Sequence, residues 1–142
     1  MIEIKENERS ILLKTSSSRE QVGEVISAFA SFLEHRQLEQ HSINKAIIVL
    51  RELLINAIVH GNKLNKIYPV IIGIDQLQDN RLKISVKDLG QGFNTRMLET
   101  ALPENPRQMH ARGYRLVNAV SESFEFNQTG NEVTAYISTL RE

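Results

Sequence analysis

Along the segment Glu52-Leu53-Leu54-Ile55-Asn56-Ala57-Ile58-Val59-His60, a carboxylate, an amide and an imidazole recur at i, i+4 and i+8. In a helix of about 3.6 residues per turn, that spacing stacks Glu52, Asn56 and His60 into one narrow polar strip. Ile43, Ala46, Ile47, Leu50, Leu53, Leu54, Ala57 and Ile58 share a face of the same helix, and Ile48, Val49, Ile55 and Val59 make most of the remainder apolar. Such a helix is covered on more than one side, and a carboxylate and an amide buried there need partners. A bound metal and phosphate would serve: the Asn56 carbonyl oxygen suits Mg²⁺, and Glu52 suits a group that orients or deprotonates a nucleophile. Neighbouring backbone also satisfies buried polar groups, so the strip equally fits a structural pair. His60, near the helix end, fits a cap or structural donor better than a catalyst.

Two further stretches carry usable chemistry. In Asp88-Leu89-Gly90-Gln91-Gly92-Phe93, Asp88 sits where a strand leaves a sheet, and its oxygens could accept the exocyclic amine of adenine. Gly90 and Gly92 remove side chains where backbone must approach a base or ribose closely. Asp-x-Gly-x-Gly also fits an ordinary turn. In Ala111-Arg112-Gly113-Tyr114-Arg115-Leu116 a glycine opens a helix, whose free N–H groups could dock a triphosphate, with Arg112 or Arg115 adding charge. Both arginines fit a solvated face as well.

The elements that must position these residues follow from periodicity. Ile2 and Ile4 alternate with charges, and Ile11 to Leu13 form a second apolar run, which predicts one or two strands. Ser17 and Glu20 fit a capping box ahead of an amphipathic helix over roughly 18–36, with Val22, Val25, Ile26, Phe29, Phe32 and Leu33 on its face. A hinge at Gln37 to His41 leads to the central helix, with Ser42 as N-cap and Gly61 or Asn62 at its end. Tyr68 to Leu77 reads as a strand, Asp79-Asn80 as a turn, and Leu82, Ile84 and Val86 as the buried side of the next strand. Residues 94–111 read as a mobile segment. A third helix is expected from Arg112 or Gly113, then a hairpin of Phe124 to Phe126 and Val133 to Ile137 around Thr129-Gly130-Asn131. The expected fold class is α+β: a two-layer sandwich of a mostly antiparallel mixed sheet with helices on one face.

The chain has 142 residues, so a single domain over 1–142 is the default, and it is long enough to bury a core. Its 17 basic and 17 acidic residues cancel, which argues against nucleic-acid binding by bulk charge. No cysteine is present, so there is neither a disulfide framework nor a thiolate zinc site. The charged start and the lack of a long apolar run predict no signal peptide, no membrane segment and a cytoplasmic location.

Taken in order, ELLINAIVHGN from Glu52 to Asn62, then DLGQGF, then RGYRLVNAV and a closing hairpin resemble the GHKL ATPase superfamily. Within it the chain looks most like the small bacterial anti-sigma-factor serine kinases. The resemblance implies a Bergerat-type ATP-binding fold with ATP held between helices and sheet. It implies Glu52 as catalytic base, Asn56 as Mg²⁺ ligand and Asp88 as the adenine-binding aspartate. Gly90, Gly92 and Phe93 would belong to the first glycine box, Asn94 to His110 to the ATP lid, and Gly113 to the second box. Arg107 and Arg112 are the candidates for touching γ-phosphate. Ala111 stands where the family usually has a glycine. Asn131 stands where the closing hairpin usually has the threonine that supports adenine binding.

In such kinases γ-phosphate goes to a serine on a small STAS-type antagonist, and the unmodified antagonist displaces a sigma factor. A sigma factor or other regulatory protein, that antagonist and a second copy of the chain are therefore the implied partners. The alternative is a sequestering module in which ATP is structural or absent. A histidine kinase would need a phospho-accepting helix bundle, for which this length has no room.

Overall fold

The computed structural model describes residues 2–89 and 116–140. Strands β1 (Glu3–Glu6) and β2 (Ser10–Ser16) form a hairpin. In its turn the Asn7 side-chain oxygen accepts the Arg9 and Ser10 amides, both at 2.9 Å, an Asx turn that matches the polar residues between the two apolar runs. β3 (Pro69–Gln76) pairs with β2, and β4 (Arg81–Lys87) pairs with β3 across the turn where Asn80 adopts a φ of 62°. β5 (Ser123–Phe126) and β6 (Glu132–Ser138) close the sheet, with β6 against β4. The order is β1-β2-β3-β4-β6-β5. Every pairing between described strands is antiparallel, where the sequence reading had allowed a mixed sheet.

Strand alternation puts one apolar face toward the helices. Leu13, Ile72, Val86 and Val133 lie in one register row, and Ile11, Ile74, Ile84 and Ala135 in another. All eight are buried. Helix α1 (Gln21–Glu34) covers this face with Val25, Phe29, Phe32 and Leu33, and α2 (Gln40–Ile55) covers it with Ile43, Ala46, Val49, Leu50, Leu53 and Leu54. Each such large side chain contributes about 1.5–3 kcal/mol by leaving water. Arg36 fastens the β1–β2 turn to the end of α1. It donates to the carbonyls of Asn7, Glu8 and Phe32, and its guanidinium lies 3.7 Å over the Phe32 ring.

Three details depart from the sequence reading. The capping box does not form: α1 begins at Gln21 with Glu20 as N-cap and no side-chain cap bond, because the Ser17 hydroxyl donates instead to the Tyr68 carbonyl at 2.6 Å. Ser42 is not an N-cap: α2 starts at Gln40 after Glu39, and the buried Ser42 hydroxyl reaches the Thr139 carbonyl at 3.4 Å. Ile48, counted in the apolar surround of the central helix, is 37% exposed, although α2 is covered on more than one side as expected. Residues 116–120 are helical with Val117 buried, and Gly130 turns the final hairpin at a φ of 78°.

Candidate functional site

The end of α2 is wound differently from its body. From Asn56 to Gly61 the chain is π-helical, and the Asn62 amide caps the segment by donating to the Ala57 carbonyl at 2.8 Å. π turns inside longer helices are rare and concentrate at functional sites. This one carries the lower two-thirds of the polar strip, with Glu52 in the last α turn and the Asn56 amide N–H still bonded to the Glu52 carbonyl.

Asn56 is 7% exposed, and among the described residues its Nδ2 has no hydrogen-bond partner. A buried, unpaired amide of this kind costs about 1–3 kcal/mol, so it is retained against a folding preference. Oxygen and nitrogen of the amide exchange places by a flip, which would present a carbonyl oxygen at the same spot. Among the described residues no group of three His, Cys, Asp or Glu side chains converges on a metal. The donor set is therefore one amide near one carboxylate. That suits Mg²⁺, which keeps water and takes further ligands from phosphates, and does not suit a cation needing an all-protein cage.

His60 follows on the strip, half-buried. Burial, and then the charge of Arg19, hold its pKa below the ordinary value of 6.5, so it is neutral at pH 7. A neutral imidazole here is no source of positive charge for phosphate.

Asp88 leaves β4 immediately beside this helix end. It is 9% exposed, and its amide donates to the Asn131 carbonyl at 2.9 Å. A Cβ on Gly61 would overlap the carboxyl carbon and both oxygens of Asp88, so the carboxylate fills the space of the side chain that glycine lacks. Leu53, Ala57, Val86, Asp88, Gly130, Asn131 and Val133 line a narrow cavity, about 10 Å³ in the volume open to the centre of a water molecule. It holds about one water, so an adenine ring enters only if side chains move. Asn131 spends its Oδ1 within the hairpin, accepting from Asn127 Nδ2 at 2.7 Å and Thr129 Oγ1 at 2.8 Å.

The structure thus brings Asp88 and Asn131 together around a cavity walled by Leu53 and Ala57, the helix residues that follow Glu52 and Asn56 in sequence, and no hydrogen bond joins Glu52 or Asn56 to that pair among the described residues. Gly90, Gly92, Phe93, Arg107, Ala111, Arg112, Gly113 and Arg115 lie outside the described residues. Sequence reasoning missed Gly61 and Asn62, which it took only as the helix end, and the coincidence of a glycine and an asparagine just after His60 was the signal available.

A model of the histidine kinase-like ATPase domain matches residues 15–137. The chain belongs to this family. The expected helix-and-sheet sandwich of the ATPase superfamily is the fold found. It is similar to the structure of the RsbU and RsbW domains of Rv1364c from Mycobacterium tuberculosis, with 14% identity, a TM-score of 0.60, and coverage of 91% of this chain and 31% of that one. The ATPase domain thus spans less than a third of that longer chain, and at this identity the likeness is one of fold. It is also similar to the histidine kinase domain of a blue-light activated histidine kinase from Erythrobacter litoralis, at 16% identity and a TM-score of 0.47, covering 84% of this chain and 60% of that one. No curated protein matches the chain significantly. Among the described residues no helix is long and apolar enough to cross a membrane.

Proposed function

We propose that this ATPase domain binds Mg-ATP and phosphorylates a serine on a small STAS-type antagonist protein, as an anti-sigma-factor kinase in a partner-switching pathway. The observation that carries the reading is the buried Asn56 amide one turn from Glu52, whose Nδ2 has no partner among the described residues, in a chain of the ATPase family. Bound Mg²⁺ supplies charge neutralisation across the phosphates. Asn56 offers it one oxygen, and Glu52 orients the serine hydroxyl and takes its proton as the serine oxygen bonds to γ-phosphorus and the bond to the β-phosphate oxygen breaks, releasing ADP. Asp88 accepts the exocyclic amine of adenine, between apolar walls from Leu53, Ala57, Val86 and Val133. Gly90, Gly92, Phe93, Arg112, Gly113 and Asn131 complete the proposed nucleotide-binding set, with Arg107 and Arg112 toward γ-phosphate.

A second reading is favoured by the tightness of the cavity at Asp88: a module that sequesters a sigma factor or another regulator, with ATP structural or absent. Transfer of label from γ-labelled ATP to a protein that co-purifies with the chain separates the two. The kinase reading expects serine labelling that stops in Glu52→Ala while that variant still binds Mg-ATP. Equal labelling by Glu52→Ala contradicts the role given to this carboxylate.

A further inference from the structure

Asn62 has no part in the chemistry above, yet its side chain is bonded at both ends. The residue is 3% exposed. Its Oδ1 accepts the Leu89 amide at 2.8 Å. Its Nδ2 donates to the Ser17 hydroxyl at 2.8 Å and the Pro69 carbonyl at 3.0 Å, with a longer approach of 3.5 Å to the Tyr68 carbonyl. The amide orientation is set by its surroundings: an N–H faces one end and a carbonyl the other, and only one flip satisfies both. The Ser17 hydroxyl spends its own proton on Tyr68, so it can only accept from Asn62.

These bonds converge on the peptide that carries Asp88. Behind it, the Asp88 amide is held by the Asn131 carbonyl at 2.9 Å. Ahead of it, the Leu89 amide is held by Asn62, which is itself fixed to the end of β2 and the start of β3. Gly61, the residue before Asn62, provides the space that the carboxylate occupies. One helix end therefore sets both the backbone and the side-chain position of Asp88.

We infer that Asn62 is a positioning residue for nucleobase selection: acting through Leu89, it aims the Asp88 carboxylate at the edge of the base. Adenine presents an amine donor at its six position and guanine a carbonyl acceptor, so a fixed carboxylate attracts the first and repels the second, and a loosely held one discriminates less. The inference rests on the ATP reading of the site. It extends that reading to a residue that holds the recognition group without taking part in transfer.

The test compares dissociation constants for Mg-ATP and Mg-GTP in the wild-type chain, Asn62→Ala and Ser17→Ala. Wild type should prefer ATP, and Asn62→Ala should reduce the ATP-to-GTP preference by about tenfold, the scale of one lost hydrogen bond. Ser17→Ala removes an Nδ2 partner but leaves the Leu89 bond, so it should lower the unfolding temperature and keep the preference. An unchanged preference in folded Asn62→Ala overturns the inference and leaves ATP binding standing, whereas a wild-type chain that binds neither nucleotide overturns both. Should Asn62→Ala fail to fold, exchange of the Leu89 amide proton in the nucleotide-free wild type decides. Slow exchange is expected, and exchange at the rate of an open loop shows that Oδ1 does not hold this peptide.

Discussion

The two ends of the long central helix obey different rules. Its N-terminal body buries Ile43, Ala46, Val49 and Leu50, exposes Ile48, and gives its buried hydroxyl, Ser42, a carbonyl partner. Its C-terminal end, from Asn56 to Asn62, widens into a π turn, buries two amides, leaves the Nδ2 of one without a partner among the described residues and makes room for the carboxylate of another strand. The body is optimised for packing. The end retains an unfavourable buried group, the pattern expected where a ligand completes the structure.

The contrast is broken or sharpened by substitutions at each end. The largest effect on stability should come from the body: Leu50→Ala leaves a cavity under both layers and should cost about 2–5 kcal/mol in denaturant unfolding. The additional stabilisation from Mg-ATP should nonetheless remain. Asp88→Asn should do the opposite, leaving the free protein close to wild type while removing the increment of about 2.7 kcal/mol expected at a hundredfold excess of nucleotide over its dissociation constant. Gly61→Ala comes next. The new methyl overlaps the buried Asp88 carboxylate rather than backbone, so the fold should survive with a loss of about 1–3 kcal/mol, while calorimetric ATP affinity falls about tenfold or more. A Gly61→Ala variant with wild-type ATP affinity would show that the carboxylate position seen here is irrelevant to binding.

Asn56→Ala should change the nucleotide-free stability by less than about 1 kcal/mol, because truncation also removes the unpaired donor, while abolishing the Mg²⁺ dependence of ATP binding. The smallest effect concerns His60. Its pKa in the folded chain lies below the unfolded value, so the unfolded state binds the proton more readily. Stability should thus be complete above pH 6.5 and decline as pH falls through that value toward the lower folded one. His60→Gln should flatten this slope in urea titrations between neutral and mildly acidic pH.

Much of this arrangement was legible in the sequence. Clean alternation in β4 announced one buried face, and Glu52 and Asn56 stood out because polar groups interrupt an apolar surround. What could not be read was how local hydrogen-bonding groups would be spent. Ser17 looked like a cap because Glu20 follows at the right spacing, but a long-range carbonyl at Tyr68 and the Asn62 amide claimed its hydroxyl. Ser42 looked like a helix start because serine caps helices well, yet it lies inside the first turn beneath Thr139. Gly61 and Asn62 resembled a routine stop signal. Their roles come from Asp88 and Leu89, which are distant in sequence and reach them only through the sheet. The π winding has no periodicity signature that would distinguish it from a helix about to end.

Thermal unfolding of the wild-type chain with and without Mg-ATP probes the central claim most directly. At saturating nucleotide the account predicts a rise of roughly 5–10 °C that disappears when Mg²⁺ is chelated. An unfolding temperature identical with and without nucleotide would contradict it, and would mean that the polar strip of Glu52, Asn56 and His60 serves the fold alone.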